Sequence, residues 1–156
     1  MKLRAIAASL ALLGLSQCTP APKLPPQPSF DVKVAITPEG IAALQGAGDH
    51  AVVDVYYYGF PKPGVSAPID QIGRVRLGNE LYEIKATDTQ VHVTPTLLDP
   101  VLFAKVVEPY AQITVYSRNK QHAADEMLEC SYYRGKVAGM VTTGAAITCD
   151  VNKGPD

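Results

Sequence analysis

The sequence has no tryptophan, only three cysteines and three histidines, and no basic run. His50, His92 and His122 stand far apart, and neither Cys130 nor Cys149 has a second ligand at metal-site spacing. No metal and no other cofactor is therefore expected. A G-x-S-x-G elbow, a phosphate loop and a dinucleotide fingerprint are all missing. Ser29, Ser66, Ser117 and Ser131 have no base close by in sequence, so no catalytic residue is assigned and a non-enzyme is expected. Lysine and arginine number 14 against 15 acidic residues, without a stripe of one sign. Composition alone thus makes nucleic acid and anionic lipid surfaces poor partners. No long hydrophobic run exists either. The apolar stretch Ala5 to Leu15 falls well short of the roughly 20 residues that span a bilayer.

That stretch follows Lys2 and Arg4, and the pattern is an export signal over residues 1–17. It runs into Leu15-Ser16-Gln17-Cys18, which resembles the lipobox of bacterial lipoproteins. Gln17 departs from the small residue preferred there. The resemblance implies acylation of Cys18, cleavage just before it, and a membrane contact through the N-terminal lipid. Thr19, where an aspartate would imply retention at the inner membrane, implies the periplasmic face of the outer membrane. Two or more acyl chains make such anchoring stable. The alternative is ordinary cleavage and a soluble periplasmic protein.

Cleavage removes Lys2 and Arg4, two of the 14 basic residues, so the net charge moves from −1 to about −3. With Cys18 acylated, Cys130 and Cys149 remain as an even pair in an oxidising compartment. A bridge between them closes a loop of about 20 residues and adds roughly 3 kcal/mol in the chain-entropy model. Residues 18–29 form a tether. Five of the 13 prolines lie in residues 19–29, which favours an extended polyproline helix reaching roughly 30 Å.

The domain is expected over residues 30–152, with a short tail at 153–156. Phe30, Val32, Val34 and Ile36 alternate as a half-buried strand. Thr37-Pro38 opens a short helix with Ile41, Ala42 and Leu44 on its apolar face, and Gly46 and Gly48 close it. Ala51 to Phe60 is the strongest strand, with Val53, Val55 and Tyr57 opposed to Val52, Asp54, Tyr56 and Tyr58. Arg74–Leu77 and Leu81–Ile84 read as a hairpin turning at Gly78-Asn79. Gln90–Val93 is a short strand, Pro100–Val106 a helix, and Ala111–Tyr116 a strand. Leu128, Cys130 and Tyr132 fall on one face of a strand ending near Gly135. Lys136–Thr143 is ambiguous. Ile147, Cys149 and Val151 share one face of the last strand. The bridge would then join the last two strands or two facing sheets. The pattern is mainly β, an antiparallel sandwich with one or two short helices. It loosely resembles immunoglobulin-like or transthyretin-like lipoprotein domains.

Eight tyrosines are the conspicuous feature. Tyr56-Tyr57-Tyr58 and Tyr132-Tyr133 each place rings on both faces of a strand. Tyr56, Tyr58 and Tyr133 form a binding surface if their strands are neighbours; otherwise they are cross-strand packing. Three functional readings follow. The first is a non-enzymatic envelope module that docks on another envelope protein. The second is a soluble periplasmic small-ligand-binding protein or hydrolase inhibitor. The third is an envelope hydrolase, which requires groups such as His50, Asp54 and Arg74 to converge.

Overall fold

The computed structural model describes residues 27–119 and 126–154. The signal, Cys18, most of the tether and His122 lie outside them. The described residues form a mainly β domain of two four-stranded sheets and three helices.

The chain runs β1 (Phe30–Ile36), α1 (Pro38–Gly46), β2 (Ala51–Pro61), β3 (Val75–Ile84) and β4 (Gln90–Val93). It continues through α2 (Pro100–Phe103), β5 (Val106–Ser117), β6 (Leu128–Cys130), β7 (Tyr133–Lys136), α3 (Val137–Thr143) and β8 (Ala145–Val151). One sheet has the order β4-β1-β8-β6 and the other β3-β2-β5-β7. All pairings are antiparallel except β1 with β8, the first strand with the last. Between the sheets lie the alternate residues of each strand. Val32, Val53, Val55, Tyr57, Val93 and Ile113 are fully buried there, and at about 25 cal/mol per Å² such burial is the main force holding the sheets together.

Local chemistry sets the first helix. The Thr37 hydroxyl accepts the Gly40 amide at 3.3 Å and Pro38 takes the first turn. Leu44 is completely buried. At α2, the Asp99 carboxylate accepts the Val101 and Leu102 amides at 2.8 and 2.9 Å. This helix ends at Phe103, earlier than the apolar spacing suggests, because Val106 is already paired with Pro61. Lys136–Thr143 resolves into a cap, Lys136, and the third helix, which stops at Gly144 with φ +67°.

Two sequence expectations are corrected. Residues 74–84 are not a hairpin, because β3 is one continuous strand along β2. Gly78-Asn79 marks a bulge: Tyr57 opposes Gly78 and Tyr58 opposes Arg76, leaving Leu77 as the extra residue. Leu77 points into the core. A side chain at Gly78 would overlap the Leu97 carbonyl oxygen, which occupies the space a Cβ needs. Glycine is required here for a close approach of backbone and not for a turn. Gly78→Ala is expected to lose about 2 kcal/mol, with the Thr96 and Leu97 amides losing protection first in hydrogen exchange.

Residues 128–135 are likewise not one strand. β6 pairs with β8 in the first sheet, whereas β7 pairs with β5 in the second, and Ser131-Tyr132 steps between them. Cys130 opposes Cys149 directly, with Cα atoms 4.0 Å apart and an S–S bond of 2.06 Å. The bridge thus ties neighbours within one sheet and does not join the facing sheets.

At the opposite edge a buried carboxylate ties β2 and β3 to the segment that follows β4. Glu80 in β3 is 5 % exposed. One oxygen accepts the Thr96 amide at 2.6 Å, the Leu97 amide at 2.9 Å and the Thr96 hydroxyl at 3.1 Å. The other accepts the Tyr57 and Tyr82 hydroxyls, both at 3.0 Å. Burial pushes the Glu80 carboxyl up, but these donors outweigh it and hold it below its ordinary value. Burial, the Glu80 hydrogen bond and the Glu80 charge push the Tyr82 phenol up to about 12, so it remains a donor.

The register also defines two ends. Gln27, Ser29 and the start of β1 lie at the same end as the β2–β3 loop, the 94–105 connection and α3. Ser29 is hydrogen-bonded to Thr94 at 3.0 Å there. α1, the 85–89 turn and the disulfide lie at the opposite end.

Candidate aromatic and arginine face

Alternation along β2 directs Tyr57 inward and Tyr56 and Tyr58 outward. The β2–β5 register sets Tyr110 opposite Tyr58. The rings then stack along the outer face of the second sheet. Tyr58 lies 6.0 Å from Tyr56 at 22° and 5.5 Å from Tyr110 at 20°. Phe60 meets Tyr58 and Tyr110 edge-on, with centroids 6.0 and 5.8 Å away. Such offset and edge arrangements are favoured by the ring quadrupoles.

Two arginines cover the stack. Arg74 lies 5.0 Å from the Tyr58 centroid and 5.6 Å from that of Tyr56; Arg76 is 5.8 Å from Tyr56. These are cation–π distances. Tyr58 is nearly inaccessible beneath its neighbours, Tyr56 and Tyr110 are half-buried, and Phe60 and Arg76 are exposed.

Asp70 fixes the position of Arg74. Its carboxylate accepts the Arg74 Nε and the Arg74 amide, both at 2.8 Å, and the Ile72 amide at 3.0 Å. The Arg74 amide, then its guanidinium, holds Asp70 below the usual carboxylate range. Across the sheet, Glu108 pairs with Lys136 at 2.8 Å and accepts the Tyr110 hydroxyl at 3.1 Å. Lys136 pulls the Glu108 carboxyl down, whereas desolvation and then Glu108 raise the Tyr110 phenol. Arg76 and Arg134 have no carboxylate partner among the described residues; Arg134 instead lies 5.7 Å over the exposed Tyr132 ring. A shallow groove beside the stack is lined by Asp54, Gln112, Tyr116, Tyr132 and Arg134.

The expected tyrosine trio is only partly together. Tyr56 and Tyr58 share the face. Tyr133 does not join them, because β5 separates β7 from β2, and Tyr133 opposes the buried Ile113 and packs against the core. Tyr110, Phe60, Arg74 and Arg76 complete the surface instead. Tyr110 was legible in the alternation with Gln112 and Thr114, once the strand is extended back past Pro109.

His50, Asp54 and Arg74 do not converge. His50 sits at the start of β2 beside Asp49 and Glu83, at 3.8 and 3.4 Å. Asp54 lies mid-strand and accepts the Asn79 amide. Arg74 is at the other end, on the order of 30 Å from His50 at strand rise. His92 faces Asp31 across β1 and β4 at 2.9 Å. That pair borders a cleft against α3 that also contains Ser29, Tyr133 and Thr143. No group of three or more His, Cys, Asp or Glu side chains among the described residues is placed to hold a metal ion. Nor is any described helix long and apolar enough to cross a membrane.

These features define a small disulfide-bonded β-sandwich with an aromatic and arginine outer face. Comparison with protein-family models, curated proteins and solved structures finds no match.

Proposed function

We propose that the chain is an envelope lipoprotein, held through Cys18 at the periplasmic face of the outer membrane. In this reading it is a non-enzymatic module that docks on another envelope protein through the outer face of β3-β2-β5. The observation that carries it is the Tyr56–Tyr58–Tyr110 stack under Arg74 and Arg76. Tyrosine and arginine dominate the energetic centres of protein interfaces, because they bury large area and lose little freedom when already held in place. Asp70 and the neighbouring rings supply that hold, while Arg76 keeps its guanidinium for a partner's acidic group. Of the two sandwich types suggested above, the connectivity favours the transthyretin-like one. β1 and β2 lie in different sheets, whereas the immunoglobulin order places its first two strands side by side.

Arg76→Glu is expected to weaken capture of a specific partner from solubilised envelopes about tenfold or more, with Lys85→Glu at the opposite end as the control. Undiminished capture by Arg76→Glu, or turnover of a cell-wall substrate by the wild-type chain, would reject the proposal. A second reading, a soluble small-ligand-binding protein, draws on the cleft beside α3 with its Asp31–His92 pair. It requires a ligand whose binding is lost in His92→Ala.

A further inference from the structure

Exposed apolar residues are distributed unevenly. Val65, Ile69 and Ile72 on the β2–β3 loop, Leu97 and Val101 on the 94–105 connection, and Val141 on α3 are all exposed. All six lie at the end where the chain enters β1, as do Phe60 and Val107, while Leu81 and Tyr132 are exposed elsewhere. Ile69 and Ile72 are 58 % and 65 % exposed, so the fold itself gains little from either. Isolated exposed apolar residues are ordinary, but a group gathered at one end marks a contact surface.

Charge is sorted in the same direction. Lys62, Arg74, Arg76, Lys105 and Lys136 stand at this end against Asp31, Asp70, Asp99 and Glu108, and each of these carboxylates has a partner within the fold. Asp70 holds Arg74, Asp99 caps α2 and Glu108 pairs with Lys136. Glu39, Asp49, Glu83, Asp88 and Asp150 lie toward the opposite end, where they outnumber Lys85, Arg118 and Lys153. The balance of charge over the whole chain, which argues against an anionic surface, therefore conceals an apolar end with a slight excess of cations, five against four carboxylates.

From these placements we infer that this end of the sandwich docks directly on an anionic lipid bilayer. The inference builds on the anchoring proposed above. What selects a bilayer as the occupant is where the chain outside the described residues begins. Residues 1–26 lead into Gln27 at this end, and they contain Cys18. A lipid on Cys18 would bring the apolar end within one tether length of the surface. Ile69, Ile72 and their neighbours then enter the headgroup boundary while Lys62 and Lys105 meet lipid phosphates. The tether sets the greatest distance from the membrane, and the apolar end sets the orientation. The tyrosine face consequently stands to the side, perpendicular to the membrane plane.

The test uses the chain from residue 18 onward carrying Cys18→Ser, so that the apolar export segment is absent, and vesicles of phosphatidylethanolamine and phosphatidylglycerol containing a lipid-attached quencher. A fluorophore is placed at Ile72→Cys or, as control, at Thr87→Cys in the turn at the opposite end, with the Cys130–Cys149 bridge kept oxidised. Quenching at position 72 and none at 87 is expected. Ile69→Asp with Ile72→Asp should weaken vesicle binding about tenfold, since two apolar side chains no longer leave water, with an unchanged circular dichroism spectrum. Equal quenching at both positions, no vesicle binding, or unaltered binding by the double variant would overturn the inference, whatever anchors the chain in the cell. Lipid labelling of the wild-type chain is read separately. Its absence, with position 72 still quenched, would remove the anchor and leave the docking end standing.

Discussion

Replacing Glu80 by alanine is expected to cost the domain about 3–5 kcal/mol, read as a lower urea midpoint. The carboxylate accepts five hydrogen bonds inside the sandwich. Its removal strands the Tyr57 hydroxyl and the Thr96 and Leu97 amides, and each buried donor without a partner costs about 1–3 kcal/mol. Total stabilities of domains are typically about 5–15 kcal/mol, so the loss would be a large share. Glu80→Gln keeps the shape but replaces one acceptor oxygen by a donor, and an intermediate loss is expected.

The same carboxylate makes stability depend on acid. Its folded pKa lies below the ordinary value of 4.5, so the unfolded chain takes up the proton more readily. The stabilisation is complete well above 4.5 and is lost as the pH falls through the lower, folded value. The stability gap between wild type and Glu80→Gln should therefore be widest near neutral pH and shrink toward pH 3. A gap that widens on acidification would refute the carboxylate's role.

Removing the bridge by Cys130→Ala with Cys149→Ala is expected to cost about 3 kcal/mol. The two residues are 19 apart in sequence, and the open chain regains the freedom of that loop. Strain is not needed to explain the effect, and neither is a catalytic role. Cys149 is 2 % exposed, so alanine also leaves a small void beside Ile147. Wild type treated with reductant in denaturant should approach the double variant, whereas Cys130→Ala alone should match it without further addition. Equal midpoints for oxidised wild type and the double variant would show that the bridge contributes nothing.

Features set by neighbouring residues were legible in the sequence. Thr37-Pro38 opens a helix because a hydroxyl and a fixed φ act within one turn. Phe30 to Ile36 alternates because one sheet face is buried. The long strand β2 and the mainly β class follow from the same period. What escaped depended on distant parts of the chain. Gly78 has the signature of a turn, but it is there because Leu97 passes against it. The apolar spacing of residues 100–106 reads as one helix, yet pairing with Pro61 claims Val106 for a strand. Glu80 looks like any polar residue of a strand until five donors from three separate segments reach it. For the outer face, Tyr56 and Tyr58 were legible from alternation. Arg74 and Arg76 above them, and the exclusion of Tyr133, follow from strand order, which no local pattern encodes.

The step at Ser131-Tyr132 has a mechanical consequence. A two-residue covalent step fastens the sheets along the β6–β7 edge, so they cannot part there without unravelling a strand. Along the β3–β4 edge the sheets are joined by the longer 85–89 turn, and farther along the same edge Glu80 holds the segment after β4 against β3. One side of the sandwich is thus stitched by a two-residue step, the other by a looser turn and a carboxylate whose grip weakens on protonation.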